Sequence, residues 1–300
     1  MDMTQNKCCR RGANLRRRRR RRRKILRSII FSCSIIAVAV FVAVGSSMIR
    51  SGDGRTNRYD VEAGNNTYDN AVIENSKISE KNKIQNNQSM LDDIMNSTQY
   101  PKQLKDLALK NEEALEFVYD YPTEHVKEHT IDLTEEASID SVPLFVQWDK
   151  RWGYEKYSGN FFAASGCGPT TLSMVVVYLT HNSDASPLAV AKYSKEAGYS
   201  VDGSGSSWTL ISEGCMHYGV KAKAVALDES RMKAELDEGH PIVVNVGPGD
   251  FTDTGHFMVI IGYDDEGFSI NDPNSIEKSG KRWLFKNISS QIRAVWSMYV

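Results

Sequence analysis

From Ser28 to Ile49 the chain carries no charge, and within that run Ile29-Ile30-Phe31 and Ile35 through Val44 are almost wholly apolar. At about 1.5 Å of rise per helical residue, such a run spans a hydrocarbon core of roughly 30 Å, so residues 28–49 are expected to form one transmembrane helix. Residues 1–50 hold fourteen Lys and Arg, including the unbroken block Arg16 to Arg23, against Asp2 as the sole acid. With a total of −1, the near-neutral chain conceals a basic head of +13 and an acidic body of −14. The positive-inside rule keeps a basic tail, residues 1–27, in the cytoplasm and sends the body across a cell membrane. A cleavable signal peptide competes, with Val44-Gly45-Ser46-Ser47 supplying small residues, but the apolar run is longer than a usual signal core and favours a retained anchor. The Arg block abuts a span and lacks interleaved aromatics. It reads as a topology determinant touching anionic lipid heads, and no nucleic-acid partner is expected.

Residues 50–100 are rich in Asn, Ser, Lys, Asp and Glu, too poor in apolar surface to offset the entropy of ordering, and are expected to form a flexible, disordered stalk. Ile84, Leu91 and Ile94 give it only a weak helical spacing. From Pro101 the pattern strengthens, with Leu104, Leu107, Leu109, Leu115, Phe117 and Val118 set among charges. Residues 101–140 therefore read as a helical prefix and connector, one amphipathic helix or two short ones needing a partner surface. His125 and His129 stand four apart but lack further ligand types, so no metal site is expected there.

Residues 141–300 have the size and composition of one globular domain. Its most informative stretch is Ser165-Gly166-Cys167-Gly168-Pro169-Thr170-Thr171, followed by an apolar run from Leu172 to Leu179. Proline is tolerated in a first helical turn, so Cys167 is placed at a helix N-terminus, where unpaired N–H groups and the helix dipole favour a thiolate. A lone cysteine at a tight junction is ordinarily a small core residue, and only its company can decide otherwise. Ser186-Pro187 opens a second helix, Ser207-Trp208 a third and Asp228 a fourth. Val220–Leu227, Pro241–Val246, Gly255–Tyr263 and Phe268–Asn274 read as strands. Helices first and strands later predict an α+β fold, a helical half on an antiparallel sheet.

His256 opens a nearly continuous apolar strand, and Asp272 ends the next strand of the same hairpin. A strict four-residue turn over Asp264 to Gly267 sets Asp272 opposite Val259, so bringing it to His256 requires a bulge or register shift. With that shift, Cys167 faces His256 and Asp272 across a groove: His256 takes the thiol proton and Asp272 orients the ring. Charge developing on an attacked carbonyl needs donors, for which the Cys167 N–H and the Gln147 carboxamide are candidates. A strand-edge glutamine bonded to backbone is an equal reading of Gln147. Cys215 reads as a core thiol, with a disulfide to Cys167 as its rival.

Taken together, Val142-Pro-Leu-Phe-Val-Gln-Trp-Asp-Lys-Arg-Trp-Gly153, Ser165-Gly-Cys-Gly-Pro-Thr170, Gly255-His-Phe-Met-Val-Ile260 and Asn271-Asp-Pro-Asn274 resemble the papain-like cysteine peptidases related to bacteriocin-leader, double-glycine processing domains. The likeness is to cysteine peptidase family thirty-nine and its stand-alone, membrane-anchored Gram-positive branch, and it covers roughly Val142 to Val300. It implies a papain-like fold, Cys167 as nucleophile, His256 as base, Asp272 as third member and Gln147 as oxyanion donor, with no cofactor. The function expected is an extracytoplasmic cysteine peptidase hydrolysing peptide or isopeptide bonds in a peptide, protein or cell-wall substrate. An idle peptide- or wall-binding relative, or an acyl transferase with the same triad, are the alternatives.

Overall fold

The computed structural model describes the backbone of residues 66–300 and the side chains from residue 80. The basic tail and the membrane helix expected over 28–49 lie outside the described residues. Among those described, no helix is long and apolar enough to cross a membrane.

The expected disordered stalk is corrected over its described part. Residues Asn66–Asn96 form a helix, α1, whose side chains from residue 80 are mostly exposed until its last turns. There Met90, Leu91 and the fully buried Ile94 join an apolar cluster. Of the Ile84–Leu91–Ile94 spacing, Leu91 and Ile94 pack while Ile84 is exposed, so tertiary packing rather than propensity supports these last turns.

That cluster is built by the prefix. Helix α2, Lys102–Lys110, stops at Asn111, and α3, Leu115–Tyr119, follows a single 3₁₀ turn. Leu104, Leu107, Leu115, Phe117 and Val118 are buried together with Phe161 and Ala163 of the following domain. Phe117 stacks on Tyr154 at 4.2 Å between ring centroids, and the Tyr154 hydroxyl donates to the Phe117 carbonyl at 2.7 Å. The approach is close enough that a Cβ on Gly153 would stand 2.7 Å from the Phe117 ring.

Helix α4, Cys167–Thr180, begins on the cysteine itself and is buried along most of its length, as its apolar run requires. Helix α5, Pro187–Glu196, is capped by Ser186, which accepts from the Ala189 N–H, with Pro187 in the first turn. The expected third helix is broken at Glu213 into a short turn, Thr209–Ser212, and a 3₁₀ segment, Gly214–Tyr218. Helix α6, Glu229–Asp237, is capped by Asp228 accepting from Arg231 N–H.

Apart from two small two-stranded sheets, the strands are β1, Lys221–Ala224; β2, Ile242–Val246; β3, His256–Asp264; β4, Gly267–Asn271; β5, Arg282–Trp283; and β6, Ile292–Tyr299. They form one six-stranded antiparallel sheet in the order β1-β6-β2-β3-β4-β5, so the fold is α+β. Strand β6, which returns from the chain end into the middle of the sheet, has no counterpart among the expected elements. On one face Val243, Phe257, Val259, Trp296 and Met298 join the cluster of helix α4, on which α5 packs in turn; on the other Val244, Met258, Ile260 and Ile270 cover a second cluster with Met232 of α6. Burial on both faces explains why β2, Asn245 apart, and β3 from Phe257 to Ile260 are continuously apolar.

Candidate active site

Three elements converge at the N-terminus of α4. Cys167 is its first residue, half-buried; His256 is the first residue of β3, buried at 5% exposure; Asp272 follows directly on β4 and is fully buried.

The shift that the sequence demands is present. The β3–β4 pairing runs Asp264↔Gly267, Tyr263↔Phe268 and Gly262↔Ser269, then slips to Ile260↔Ile270 and Val259↔Asn271. Ile261 is therefore an extra residue on β3. Carried one step on, the new register sets Asp272 opposite Met258 instead of Val259. Alternate residues share a face, so the bulge moves Asp272 to the face of His256, as its diagonal neighbour. His256 Nε2 donates to Asp272 Oδ1 at 2.6 Å, a charge-assisted length.

With Nε2 engaged, the ring nitrogen left for the thiol is Nδ1, and the His256 ring hydrogen-bonds Cys167. Burial works against a Cys167 thiolate, but the hydrogen bond and charge of His256, with N–H donation from Phe257 and Gly168, outweigh it and hold the thiol below its ordinary range. For His256, burial again opposes the charged form, and the Asp272 charge and hydrogen bond, joined by Cys167, raise its pKa well above the usual imidazole value. The two shifts are coupled, each partner favouring the charged form of the other. Cys215, by contrast, is pushed up to about 11 by burial, and both cysteines are free thiols.

Gln147 is tied to the residue after Asp272 and to the turn that leads into Cys167. It is buried; its N–H donates to the Pro273 carbonyl at 2.7 Å, its Nε2 to the Ala163 carbonyl at 2.7 Å, and its Oε1 has no partner. One Nε2 hydrogen is committed to Ala163, four residues before Cys167, and a second remains.

The support of Asp272 was not legible in the sequence. Oδ1 also accepts from the Asn274 N–H at 2.8 Å, and the Asp272 N–H donates to Ser279 Oγ at 2.9 Å. Asn271 turns the other way and donates to the Val142 and Pro143 carbonyls at 3.1 and 3.0 Å, tying β4 to the start of the domain. Beside Cys167, the hairpin of Ser200–Val201 and Gly205–Ser206 lies against α4 so tightly that a Cβ on Gly168 would stand 2.6 Å from Ser206 Oγ.

Compared with known proteins, residues 139–300 match the model of the Peptidase_C39 like family. No curated protein matches. Among solved structures, the peptidase domain of Streptococcus ComA, described as a bifunctional ABC transporter involved in a quorum-sensing pathway, is 20% identical, with TM-score 0.39, covering 53% of this chain and 96% of that one. A C39-like peptidase from Bacillus anthracis is 18% identical, with TM-score 0.33, covering 53% and 95%.

Proposed function

The chain belongs to the Peptidase_C39 like family, and from that premise we propose that it is a cysteine peptidase working through Cys167, His256 and Asp272. The observation that carries this reading is the 2.6 Å hydrogen bond from His256 Nε2 to the fully buried Asp272, with Cys167 opening α4 beside the same ring, the thiol's pKa lowered and the imidazole's raised. Cys215, buried without such a partner, has its pKa pushed up to about 11 and is favoured as the neutral thiol.

The chemistry follows from the placement. The Cys167 sulfur attacks the scissile carbonyl carbon, forming a C–S bond while the carbonyl electron pair moves to oxygen. The Cys167 N–H, unpaired in the first turn of α4, and the free Nε2 hydrogen of Gln147 are the donors for that oxygen. His256 Nδ1 then gives its proton to the leaving amine as the C–N bond breaks. Water, losing a proton to the same nitrogen, attacks the thioester and releases the acid and the thiolate. Asp272 keeps its charge throughout and holds Nε2–H, so Nδ1 is the nitrogen that exchanges protons.

We further assign the substrate as a peptide or protein met outside the cytoplasm, with the chain held to a cell membrane by residues 28–49. The support for that is the uncharged run behind the Arg16–Arg23 block. The catalytic reading is tested by incubating the full-length chain with a peptide library and reading new termini by mass spectrometry. Cleavage by the wild type that disappears in Cys167→Ala is expected; cleavage persisting in that variant refutes the nucleophile. Membrane fractionation with external protease digestion tests the topology: release of a domain reactive at Cys167 supports it, and protection of that domain in intact cells contradicts it.

A further inference from the structure

We propose that Asn111 and Glu113, which lie outside the family-matched residues 139–300, are positioning residues for Asp272, so that the prefix completes the catalytic site of the domain behind it. The inference rests on the triad reading above. Beyond Asn271 the chain leaves the sheet, and apart from an isolated pairing between Asp272 and Ser275 the loop Asp272–Ser275 has no strand to fix it. The Gln147 N–H holds the Pro273 carbonyl at 2.7 Å and Trp148 Nε1 reaches the Asn274 carbonyl at 3.3 Å, and two contacts from the 3₁₀ turn between α2 and α3 add the hold of the prefix.

The first runs through Asn274. Asn111 Nδ2 donates to the Asn274 carbonyl at 2.9 Å and to its Oδ1 at 3.1 Å, and the Asn274 N–H donates to Asp272 Oδ1, the oxygen that His256 uses. The second runs through the helical turn Ile276–Ser279. The Glu113 carboxylate accepts from the Ile276 and Glu277 N–H groups at 2.7 and 3.1 Å and from the Ser275 hydroxyl, capping that turn from another part of the chain. The turn's Ser279 Oγ accepts from the Asp272 N–H at 2.9 Å and donates to the Ser275 carbonyl at 2.7 Å. Thus both the side-chain oxygen and the backbone of Asp272 are set by groups that the prefix holds. The prefix residues are fixed in turn: Asn111 Oδ1 accepts from Glu113 N–H at 3.0 Å, and the helices on either side are buried against Phe161 and Ala163.

The test is the pH dependence of Cys167 alkylation by iodoacetamide in the full-length chain, mapped by peptide mass, in Glu113→Ala, Asn111→Ala and Glu113→Gln. Near pH 6 the two alanine variants should react about tenfold more slowly than wild type, less than the roughly hundredfold that a full ångström of misplacement can cost. Glu113→Gln keeps one acceptor oxygen for the turn and should recover most of the rate. If Glu113→Ala fails to fold, Asn111→Ala and Glu113→Gln carry the comparison. In an Asp272→Asn background, adding Glu113→Ala should change nothing further, because both act through one group. An unmoved profile in folded variants, or a full additional loss on top of Asp272→Asn, overturns the proposal. If Asp272→Asn alone leaves the profile unmoved, the triad assignment itself fails and this proposal falls with it.

Discussion

Replacing Asp272 by Asn removes one charge and keeps the shape, so its consequences can be worked from the contacts. Asp272 is fully buried against a His256 that is nearly so, at 2.6 Å. A hydrogen bond to a charged group contributes about 1.5–3 kcal/mol, and one pKa unit corresponds to about 1.36 kcal/mol. Loss of the carboxylate charge therefore lowers the imidazolium pKa by on the order of one to two units, with burial then opposed by Cys167 alone. The sign is fixed by both partners. His256, raised in the native site, is charged below its pKa, and Cys167, lowered there, is a thiolate above its own; the reactive pair occupies the interval between them. Asp272→Asn closes that interval from above and, by weakening the imidazolium, raises the thiol from below. The Asn Nδ2–H can also donate to Nε2, which forces the proton onto Nδ1 and leaves His256 unable to take one from Cys167. The expected result is an acid limb of Cys167 alkylation displaced to higher pH, with the rate near pH 6 down by about tenfold to a hundredfold and the far-ultraviolet spectrum unchanged. An unchanged acid limb in a folded Asp272→Asn protein would refute this account of the pair.

Gly168→Ala should lose activity with a stability cost of about 1–3 kcal/mol, because the new Cβ drives the Ser206 hairpin off the first turn of α4; a variant as active and stable as wild type contradicts the close approach. A fragment of residues 139–300 should melt well below one of residues 80–300, since it exposes Phe161 and Ala163 and leaves Tyr154 without Phe117; equal melting temperatures would show that the prefix packs without stabilising. Glu235, held at about 2 first by the His240 hydrogen bond and then by those of Ser297 and Lys223, contributes stability that is present above the ordinary carboxylate range and fades as pH falls towards 2. Glu235→Gln should accordingly lower the melting temperature at pH 7 and flatten its fall in acid.

What the sequence made legible was local. Ser186-Pro187 and Asp228 announce their helices through capping chemistry that acts within three residues, and Gly-Cys-Gly-Pro marks the start of α4 without a side-chain cap, through a proline placed in the first turn. The apolar run from His256 declares a strand buried on both faces. The demand for a bulge was also readable, since parity alone sets Asp272 on the wrong face without one, but its position at Ile261 was not. Strand β6 escaped because its position between β1 and β2 is decided by pairing, not by composition. The break at Glu213 and the ordering of α1 depend on tertiary contacts in the same way. Least legible was the hold of Asn111 and Glu113 on the Asp272 loop: nothing in a short window links residues more than 160 positions apart. Gln147 is an intermediate case, since its residue type suggested a donor while its bond to Ala163 emerges only from the fold.

The central claim is that Cys167 exists as a thiolate paired with His256. The direct measurement is the rate of iodoacetamide alkylation of Cys167 and of Cys215 between pH 5 and 9 in the wild-type chain and in His256→Ala, resolved by peptide mapping. The account predicts rapid labelling of Cys167 well below the ordinary thiol range of about 8.5, lost in His256→Ala, while Cys215 stays unreactive throughout. Slow labelling of Cys167 that rises only near that value and is indifferent to His256 would contradict it.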